Sequence, residues 1–253
     1  MTVGILGLGL IGGSLARAYA LAGHSVYAAD RDASILAFAQ LAGAVDAPLT
    51  SENLPECDLI LLAIYPEGSA AWLAENAEHI SPNALVLDCC GVKQEICEAC
   101  FPIAEKFGFT FIGGHPMAGT QFSGFKHSRA DLFQGAPMVL VPPRFDDIRL
   151  LDRAKQALAP CGFGSFSVTT ARDHDRIHNL GTGKGTSVLE LVHAFERVNG
   201  INVPYKIVER RLGDIAECYA GVEKANLELG WNAEKTVEDM CKDTWRWQQY
   251  INS

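Results

Sequence analysis

Three glycines near the start of the chain have the spacing of a phosphate-binding turn. They form Gly7-x-Gly9-x-x-Gly12, directly after the apolar run Val3 to Leu6 and before a helix-forming stretch that ends at Gly23. In such a unit the first glycine allows the turn, the second lets the backbone approach a pyrophosphate, and the third lets the helix pack on the strand. The N–H groups and the dipole of the helix N-terminus then favour an anion. The residues predicted to contact a dinucleotide here are Gly7, Leu8, Gly9, Leu10, Ile11 and Gly12.

An acidic residue follows at the distance that a dinucleotide site requires. The predicted strand Ser25–Ala29 ends at Asp30, and an acid about twenty positions past the glycines accepts hydrogen bonds from the adenosine ribose. Its charge would repel a 2′-phosphate, which predicts NAD as the cofactor. Arg31 is able to bind that phosphate instead, so NADP stays open as the alternative.

A single histidine stands out as a candidate proton acceptor. His115 lies in Gly113-Gly114-His115-Pro116, which follows the predicted strand Thr110–Ile112. Flanking glycines and proline exclude a helix interior, so we expect His115 on a loop at the end of the strand. A neutral imidazole there can act as a general base, and the alternative is a solvated surface histidine.

Composition limits the classes of partner. The 253 residues are 48% hydrophobic and carry a net charge of −9 with a pI near 5.2, so nucleic acid and anionic membranes would be repelled. A small-molecule substrate is the expected partner. The apolar N-terminus lacks the basic region of a signal sequence and no run reaches membrane-spanning length, so we expect a cytoplasmic protein.

The cysteines do not indicate a metal site. Eight are scattered along the chain, which is typical of free thiols in a reducing compartment. Cys97-x-x-Cys100 has no second pair at ligand spacing, so these two are interpreted as small apolar positions of a helix, with zinc as the weaker alternative.

The arrangement of apolar segments predicts an α/β fold, a doubly wound, mostly parallel Rossmann-type sheet through about residue 170. Apolar runs within 56–64 and 84–88 are typical of strands buried on both faces. Ligands bind at the carboxyl ends of such strands, so Ala63, Ile64 and Tyr65 are predicted at the cofactor edge. Further strands are predicted at Leu132–Pro142 and Gly164–Val168, with helices at about 33–43, 68–79, Gln94–Phe107 and Ile148–Leu158.

The last third is predicted as a smaller α+β segment. Ser187-x-x-Glu190 forms a capping box that opens an amphipathic helix ending before Gly200. Strands are predicted at Ile177–Leu180 and Val203–Val208, and helices at Gly221–Leu229 and Glu234–Tyr250.

Four stretches together carry a family resemblance. Gly7-Leu-Gly-Leu-Ile-Gly-Gly-Ser14, Asp88-Cys-Cys-Gly-Val-Lys93, Gly113-Gly-His-Pro-Met-Ala-Gly-Thr120 and Leu132-Phe-Gln-Gly-Ala-Pro137 resemble the nucleotide-binding domain of prephenate and arogenate dehydrogenases. The likeness covers residues 1 to about 176 and ends near Asp173-His-Asp-Arg176.

The resemblance implies an NAD-dependent oxidoreductase of aromatic amino acid biosynthesis, in the branch to tyrosine. Its reaction is oxidative decarboxylation, with His115 accepting the proton of the ring hydroxyl. Substrate contacts are implied for Gly91, Lys93, Thr120 and Gln121. Many members have serine where this chain has Gly91, so that hydroxyl contact is absent or replaced.

A second resemblance begins where the first ends. Ile177-His-Asn179 through Trp245-Arg-Trp-Gln248 resembles the C-terminal segment of UDP-glucose 4-epimerases, which implies nucleotide-sugar contacts for Arg211 and Asp214. The all-helical dimerisation domain expected after residue 176 is missing. The chain is therefore interpreted as a fusion of a dinucleotide-binding domain, 1–176, with an epimerase-like segment, 177–253, and a homo-oligomer stays open.

Three functions remain after these observations. A dehydrogenase weakened by loss of the family's substrate-binding arginine is favoured. An NAD-binding fusion protein without turnover is the first alternative. A nucleotide-sugar binding protein is the second, but epimerase chemistry needs Tyr-x-x-x-Lys and the sequence contains none, since Tyr219 and Lys224 are five apart.

Overall fold

The computed structural model describes residues 1–176, 180–209 and 219–251. The chain divides into two compact units, Met1–Arg176 and Ile177–Ser253. Arg211 and Asp214 lie outside the described residues, as does most of the strand predicted at Ile177–Leu180.

The first unit alternates strands and helices. The strands are β1 Thr2–Leu6, β2 Ser25–Ala29, β3 Ala47–Pro48, β4 Leu59–Leu62, β5 Leu85–Asp88, β6 Thr110–Pro116, β7 Pro137–Val141 and β8 Ser165–Val168. The helices are α1 Leu10–Leu21, α2 Ala33–Leu41, α3 Pro66–Asn76, α4 Gln94–Phe107, α5 Ile148–Ala157 and α6 Ala171–His174. Single turns of 3₁₀ helix lie at Leu54–Glu56, Ala77–His79, Phe125–His127 and Ala159–Cys161.

In the part of the chain that the structure describes, the strands form one eight-stranded sheet. Its order is β3-β2-β1-β4-β5-β6-β7-β8, with β6 and β7 antiparallel and every other neighbouring pair parallel. The order reverses between β1 and β4, which makes their carboxyl ends the switch point at which such sheets bind ligands. The predicted doubly wound, mostly parallel Rossmann-type fold is confirmed.

The core lies on both faces of this sheet. Along β4, Leu59 and Leu61 pack into the layer formed with α1 and α5, whereas Ile60 and Leu62 pack into the layer formed with α3 and α4. Alternate side chains of a strand point to opposite faces, so a strand covered on both faces is apolar throughout. Cys97 and Cys100 are buried positions of α4, as interpreted from sequence, and burial raises the pKa of each thiol to about 12.

The second unit contains α7 Val188–Asn199, α8 Glu223–Leu229 and α9 Val237–Ile251. The predicted capping box is present, because Glu190 N–H donates to Ser187 Oγ at 3.1 Å and Ser187 N–H donates to Glu190 Oε2 at 2.8 Å. Helices α7 and α9 pack together, with an edge-on contact between the rings of Phe195 and Trp245.

The strand predicted at Val203–Val208 is wrong. Residues 201–209 have no regular secondary structure, and the described residues of this unit contain no strand. A β pattern needs a neighbouring strand to pair with. Across residues 1–176, 180–209 and 219–251, no helix combines the length and the apolar character needed to cross a bilayer.

Candidate functional site

The glycine turn connects β1 to α1, and two of its glycines are required by close packing. Gly7 has φ +88°, and a Cβ there would lie 2.4 Å from Ile64 Cγ2 and 2.7 Å from the Ala63 carbonyl oxygen. A Cβ on Gly12 would lie 1.9 Å from the Gly7 carbonyl oxygen. Glycine is therefore needed at both positions for the turn and the helix to pack against each other and against the end of β4.

Gly9 differs from the other two. It precedes α1, and no atom of the described residues lies within 4 Å of the position that its Cβ would occupy. The first N–H groups of a helix have no partner within the helix. Open space thus adjoins the N-terminus of α1, as a bound pyrophosphate requires.

Asp30 joins the end of β2 to the glycine turn. Its Oδ2 accepts a hydrogen bond from Leu8 N–H at 2.7 Å, and its Oδ1 accepts one from Asp32 N–H at 2.9 Å. Each carboxylate oxygen has a further lone pair for a ligand hydroxyl. Arg31 is exposed next to it.

Ala63, Ile64 and Tyr65 follow β4, the neighbour of β1 in the sheet. Ala63 N–H donates to the Leu6 carbonyl oxygen at 2.8 Å, which keeps this segment against the glycine turn. The Tyr65 side chain is 88% exposed. The structure thus brings the predicted cofactor residues together at the carboxyl ends of β1, β2 and β4.

A buried ion pair lies under the ends of β5 and β6. Lys93 Nζ pairs with Asp88 Oδ2, and both side chains are fully buried. Asp88 also accepts hydrogen bonds from Cys90 N–H at 2.8 Å and from Gly114 N–H at 3.0 Å. Lys93 was expected at the substrate. Its side chain instead points into the protein, where its ammonium pairs with Asp88.

The two glycines before His115 allow β6 to pack closely against the residues of this ion pair. A Cβ on Gly114 would lie 2.4 Å from the Asp88 carbonyl oxygen, and one on Gly113 would lie 2.6 Å from Cys97 Sγ and 3.3 Å from Lys93 Cδ. Side chains at these positions would separate β6 from β5. The glycines keep the backbone of β6 close enough for Gly114 N–H to reach Asp88.

His115 lies in β6, opposite Val139 of β7, and not on a loop after the strand as expected. The strand continues four residues past Ile112 because β7 pairs with it in antiparallel register. His115 is half-buried, and its Nδ1 lies 3.0 Å from His174 Nε2.

His174 in turn contacts an acidic residue. Its Nδ1 lies 2.7 Å from Asp175 Oδ1. The Asp175 carboxylate accepts hydrogen bonds from Lys93 N–H at 2.8 Å and from Gln94 N–H at 2.6 Å, at the start of α4. His115, His174 and Asp175 therefore form one chain of contacts that is anchored on α4.

The surroundings shift two pKa values in this chain of contacts. Burial lowers the pKa of His115, the nearby His174 and Lys93 lower it further, and Asp88 and Asp175 oppose the change. Burial alone would raise the pKa of Asp175, but hydrogen bonds from Gln94 N–H, His174 and Lys93 N–H bring it below its usual value. A neutral His115 beside an ionised Asp175 is thus the favoured state at neutral pH.

The remaining expected substrate residues differ in their surroundings. A Cβ on Gly91 would lie 3.9 Å from His115 Nε2, in ordinary van der Waals contact, so Gly91 is a direct neighbour of that nitrogen. Thr120 and Gln121 lie in the exposed loop after β6, where Thr120 Oγ1 donates to the Phe122 carbonyl oxygen at 3.1 Å. The described residues contain no cluster of three or more His, Cys, Asp or Glu side chains that would hold a metal ion.

His174 and Asp175 were not among the site residues predicted from the sequence. The adjacent pair His174-Asp175 follows the last predicted strand closely, and this position is the sequence feature that could have indicated them. Titratable side chains next to the carboxyl end of a strand are candidate site residues, because ligands bind at those ends in such sheets.

The fold and the glycine turn define a Rossmann-type nucleotide-binding domain of the dehydrogenase class. A model of the family "Prephenate dehydrogenase, nucleotide-binding domain" matches residues 15–166, and the chain belongs to this family.

Solved structures share this fold. Arogenate dehydrogenase from Synechocystis is 33% identical with a TM-score of 0.63, over 70% of this chain and 62% of that chain. Prephenate dehydrogenase from A. aeolicus, solved with hydroxyphenyl propionate and NAD⁺, is 24% identical with a TM-score of 0.62, over 79% of this chain and 68% of that chain.

A distinct segment of about 74 residues is similar to UDP-glucose 4-epimerases. The enzyme from Yersinia enterocolitica is 58% identical over 74 residues, which are 29% of this chain and 22% of that protein. The enzyme from Bacillus subtilis is 59% identical over 71 residues, which are 28% of this chain and 21% of that protein. The chain thus spans about a fifth of the length of these curated relatives. The predicted resemblance to two families is confirmed.

Proposed function

We propose that this chain is an NAD-dependent dehydrogenase of the prephenate or arogenate type, acting in tyrosine biosynthesis in the cytoplasm. The observation that carries the proposal is the placement of His115 in the same sheet, and at the same edge, as the glycine turn. Residues 1–176 are the dinucleotide-binding domain in this proposal, and residues 177–253 are the epimerase-like segment.

The cofactor site fits a dinucleotide. The open space at Gly9 would receive the pyrophosphate, the N-terminus of α1 would stabilise its charge, and Asp30 would accept hydrogen bonds from the ribose. Residues 63–65 would border the cofactor on the other side. When bound, NAD supplies the acceptor for the hydride that leaves the substrate.

His115 accepts the proton of the ring hydroxyl. As hydride leaves the ring carbon that bears the hydroxyl, positive charge develops on the oxygen, the O–H bond breaks, and its proton forms a new N–H bond at His115 Nε2, which leaves a carbonyl. The electron pair of the C–CO₂ bond then moves through the ring to that oxygen, carbon dioxide leaves, and the aromatic product takes the proton back from His115 as its phenol. The lowered pKa of His115 keeps the imidazole neutral before this step.

Substrate carboxylates have few cationic partners on the described surface. Arg129 is exposed and pairs with Asp131 at 3.3 Å, and the ammonium of Lys93 is buried. Losing one charge-assisted contact costs about 1.5–3 kcal/mol, which is roughly ten- to a hundredfold in rate. We therefore propose that turnover is weak.

Steady-state kinetics on the full chain test the proposal. With NAD and either prephenate or arogenate, we expect slow formation of reduced nicotinamide, which His115→Asn abolishes while NAD affinity stays unchanged. NAD binding without any product from either substrate would favour the alternative of a binding protein without turnover. Binding of a UDP-sugar in place of NAD would favour the nucleotide-sugar alternative.

A further inference from the structure

The chain of contacts from His115 to Asp175 decides which nitrogen of His115 carries a proton. This matters because a neutral imidazole has one N–H donor and one bare nitrogen, and only the bare nitrogen can accept the substrate proton. The inference rests on the proposed function for its catalytic meaning, but the protonation pattern itself can be measured independently.

Asp175 is the fixed end of the chain of contacts. Its Oδ2 accepts from Gln94 N–H at 2.6 Å, and its Oδ1 accepts from Lys93 N–H at 2.8 Å. Both donors lie at the N-terminus of α4, where the helix dipole also favours negative charge. Asp175 is therefore an ionised acceptor in a fixed orientation.

The polarity of each following contact is then determined. An ionised carboxylate only accepts, so His174 Nδ1 must carry the proton in its 2.7 Å contact with Asp175 Oδ1. When His174 carries only this one proton, its Nε2 is bare. That nitrogen lies 3.0 Å from His115 Nδ1, so His115 Nδ1 must be the donor.

The remaining nitrogen of His115 is therefore bare. Its Nε2 lies beside Gly91, whose added Cβ would lie 3.9 Å away, in ordinary van der Waals contact. Gly91 thus has no side chain that would cover the nitrogen that has to accept a proton. The opposite tautomer would present an N–H there and could not act as a base.

We propose that Asp175 and His174 are positioning residues that hold His115 in the Nδ1–H tautomer, so that its Nε2 is the proton acceptor of the reaction. After proton transfer His115 is a cation that still donates through Nδ1 to His174. Four titratable side chains affect the protonation of His115. They are His174 and Asp175 after β8, Asp88 at the end of β5, and Lys93 just before α4.

The decisive experiment reads the tautomer directly. The full chain is labelled with ¹⁵N in the histidine rings, and long-range ¹H–¹⁵N NMR spectra are recorded at a pH where His115 is neutral. We expect a bare Nε2 and a protonated Nδ1 for His115, assigned by loss of its signals in His115→Asn. A protonated Nε2 in the unsubstituted chain would overturn the proposal, and this measurement needs neither activity nor a second variant.

Asp175→Asn provides the functional arm. The amide oxygen would take the place of Oδ2, which lies 2.6 Å from Gln94 N and 3.0 Å from Lys93 N and so accepts from both N–H groups, and this turns the amide NH₂ group toward His174 Nδ1. Each contact then reverses, and His115 Nε2 becomes protonated. We expect kcat to fall on the order of 10²- to 10⁴-fold with NAD affinity unchanged, and an unchanged tautomer in this folded variant would contradict the proposal.

Asp173→Asn is the matched control. It is the same substitution two residues away, on a side chain that is 55% exposed and contacts Thr170 and Arg176. We expect neither the His115 tautomer nor kcat to change. A tautomer that matches the expectation in a chain without dehydrogenase activity would refute the proposed function and leave the positioning role of Asp175 standing.

Discussion

At the scale of single residues, the pKa of His115 depends on the residues around it as well as on the imidazole itself. An imidazole at the surface would titrate near its ordinary pKa of about 6.5. Partial burial instead favours its neutral form, and the positive charge of nearby Lys93 adds to this effect. The side chain is therefore available as a base over a wider range of pH than an exposed histidine would be.

The first prediction concerns this pH dependence. Because the pKa of His115 is lowered, the midpoint at which kcat/KM falls on acidification should lie below pH 6.5. The sign follows from the role of a base, which is lost on protonation. The pH–rate profile, together with NMR titration of the His115 ring, checks it, and a midpoint above pH 6.5 would contradict it.

The second prediction concerns the buried ion pair of Lys93 and Asp88. Lys93→Met removes one partner and leaves a carboxylate without compensation in the core. We expect the free energy of unfolding to fall by about 3–5 kcal/mol, measured by chemical denaturation. Arg129→Met, which breaks the exposed pair with Asp131, is the control and should cost about 0–1 kcal/mol.

At the scale of elements, the strand–turn–helix unit of β1 and α1 separates glycines that shape the fold from one that leaves room for a ligand. Gly7 and Gly12 contact the backbone closely, whereas Gly9 faces open space. Their common place in one sequence motif conceals this difference. Substitution distinguishes the two roles.

The third prediction follows from that difference. Gly9→Val should leave the fold intact, because no described atom lies within 4 Å of its Cβ, and should abolish NAD binding by filling the space for the pyrophosphate. Gly12→Val should instead prevent folding, because its Cβ would overlap the Gly7 carbonyl oxygen. Thermal unfolding and titration with NAD check both, and undiminished NAD affinity in folded Gly9→Val would exclude this site.

The fourth prediction concerns the end of β2. Asp30 is held by Leu8 N–H and Asp32 N–H, so its charge stays where a 2′-phosphate would be. We expect NAD to bind more tightly than NADP, and Asp30→Asn to reduce that preference. Competitive titration of both cofactors measures this, and tighter binding of NADP to the unsubstituted chain would show that Arg31 determines the choice.

At the scale of the whole molecule, the proposed cofactor residues and His115 lie in the first compact unit, Met1–Arg176. Its sheet has a continuous core on both faces. The second unit has its own helix pair, α7 and α9, joined by Arg197 and Glu238 at 2.6 Å. Each unit thus has internal contacts that can support it.

The fifth prediction is that residues 1–176 fold alone and bind NAD as tightly as the full chain does. The physical reason is that every described group in the proposed cofactor site belongs to this unit. Calorimetric titration of both proteins with NAD checks it. A loss of affinity of tenfold or more in the folded shorter protein would mean that the second unit contributes to the site.

The sequence alone determined the features that depend on neighbours along the chain. The glycine turn between β1 and α1 was predictable because its spacing is set by local backbone geometry. The strands β4 and β5 were predictable because burial on both faces requires apolar runs. The capping box of Ser187 and Glu190 was predictable because its two hydrogen bonds join residues three apart.

Only the tertiary structure decided the features that depend on distant partners. His115 and His174 meet although they are 59 positions apart, and no spacing rule links them. The ammonium of Lys93 is buried because it pairs with buried Asp88. From sequence, a lysine after a strand was expected to face a ligand. β6 extends through His115 because β7 pairs with it, whereas Val203–Val208 forms no strand, since a strand exists only where another one offers its hydrogen bonds.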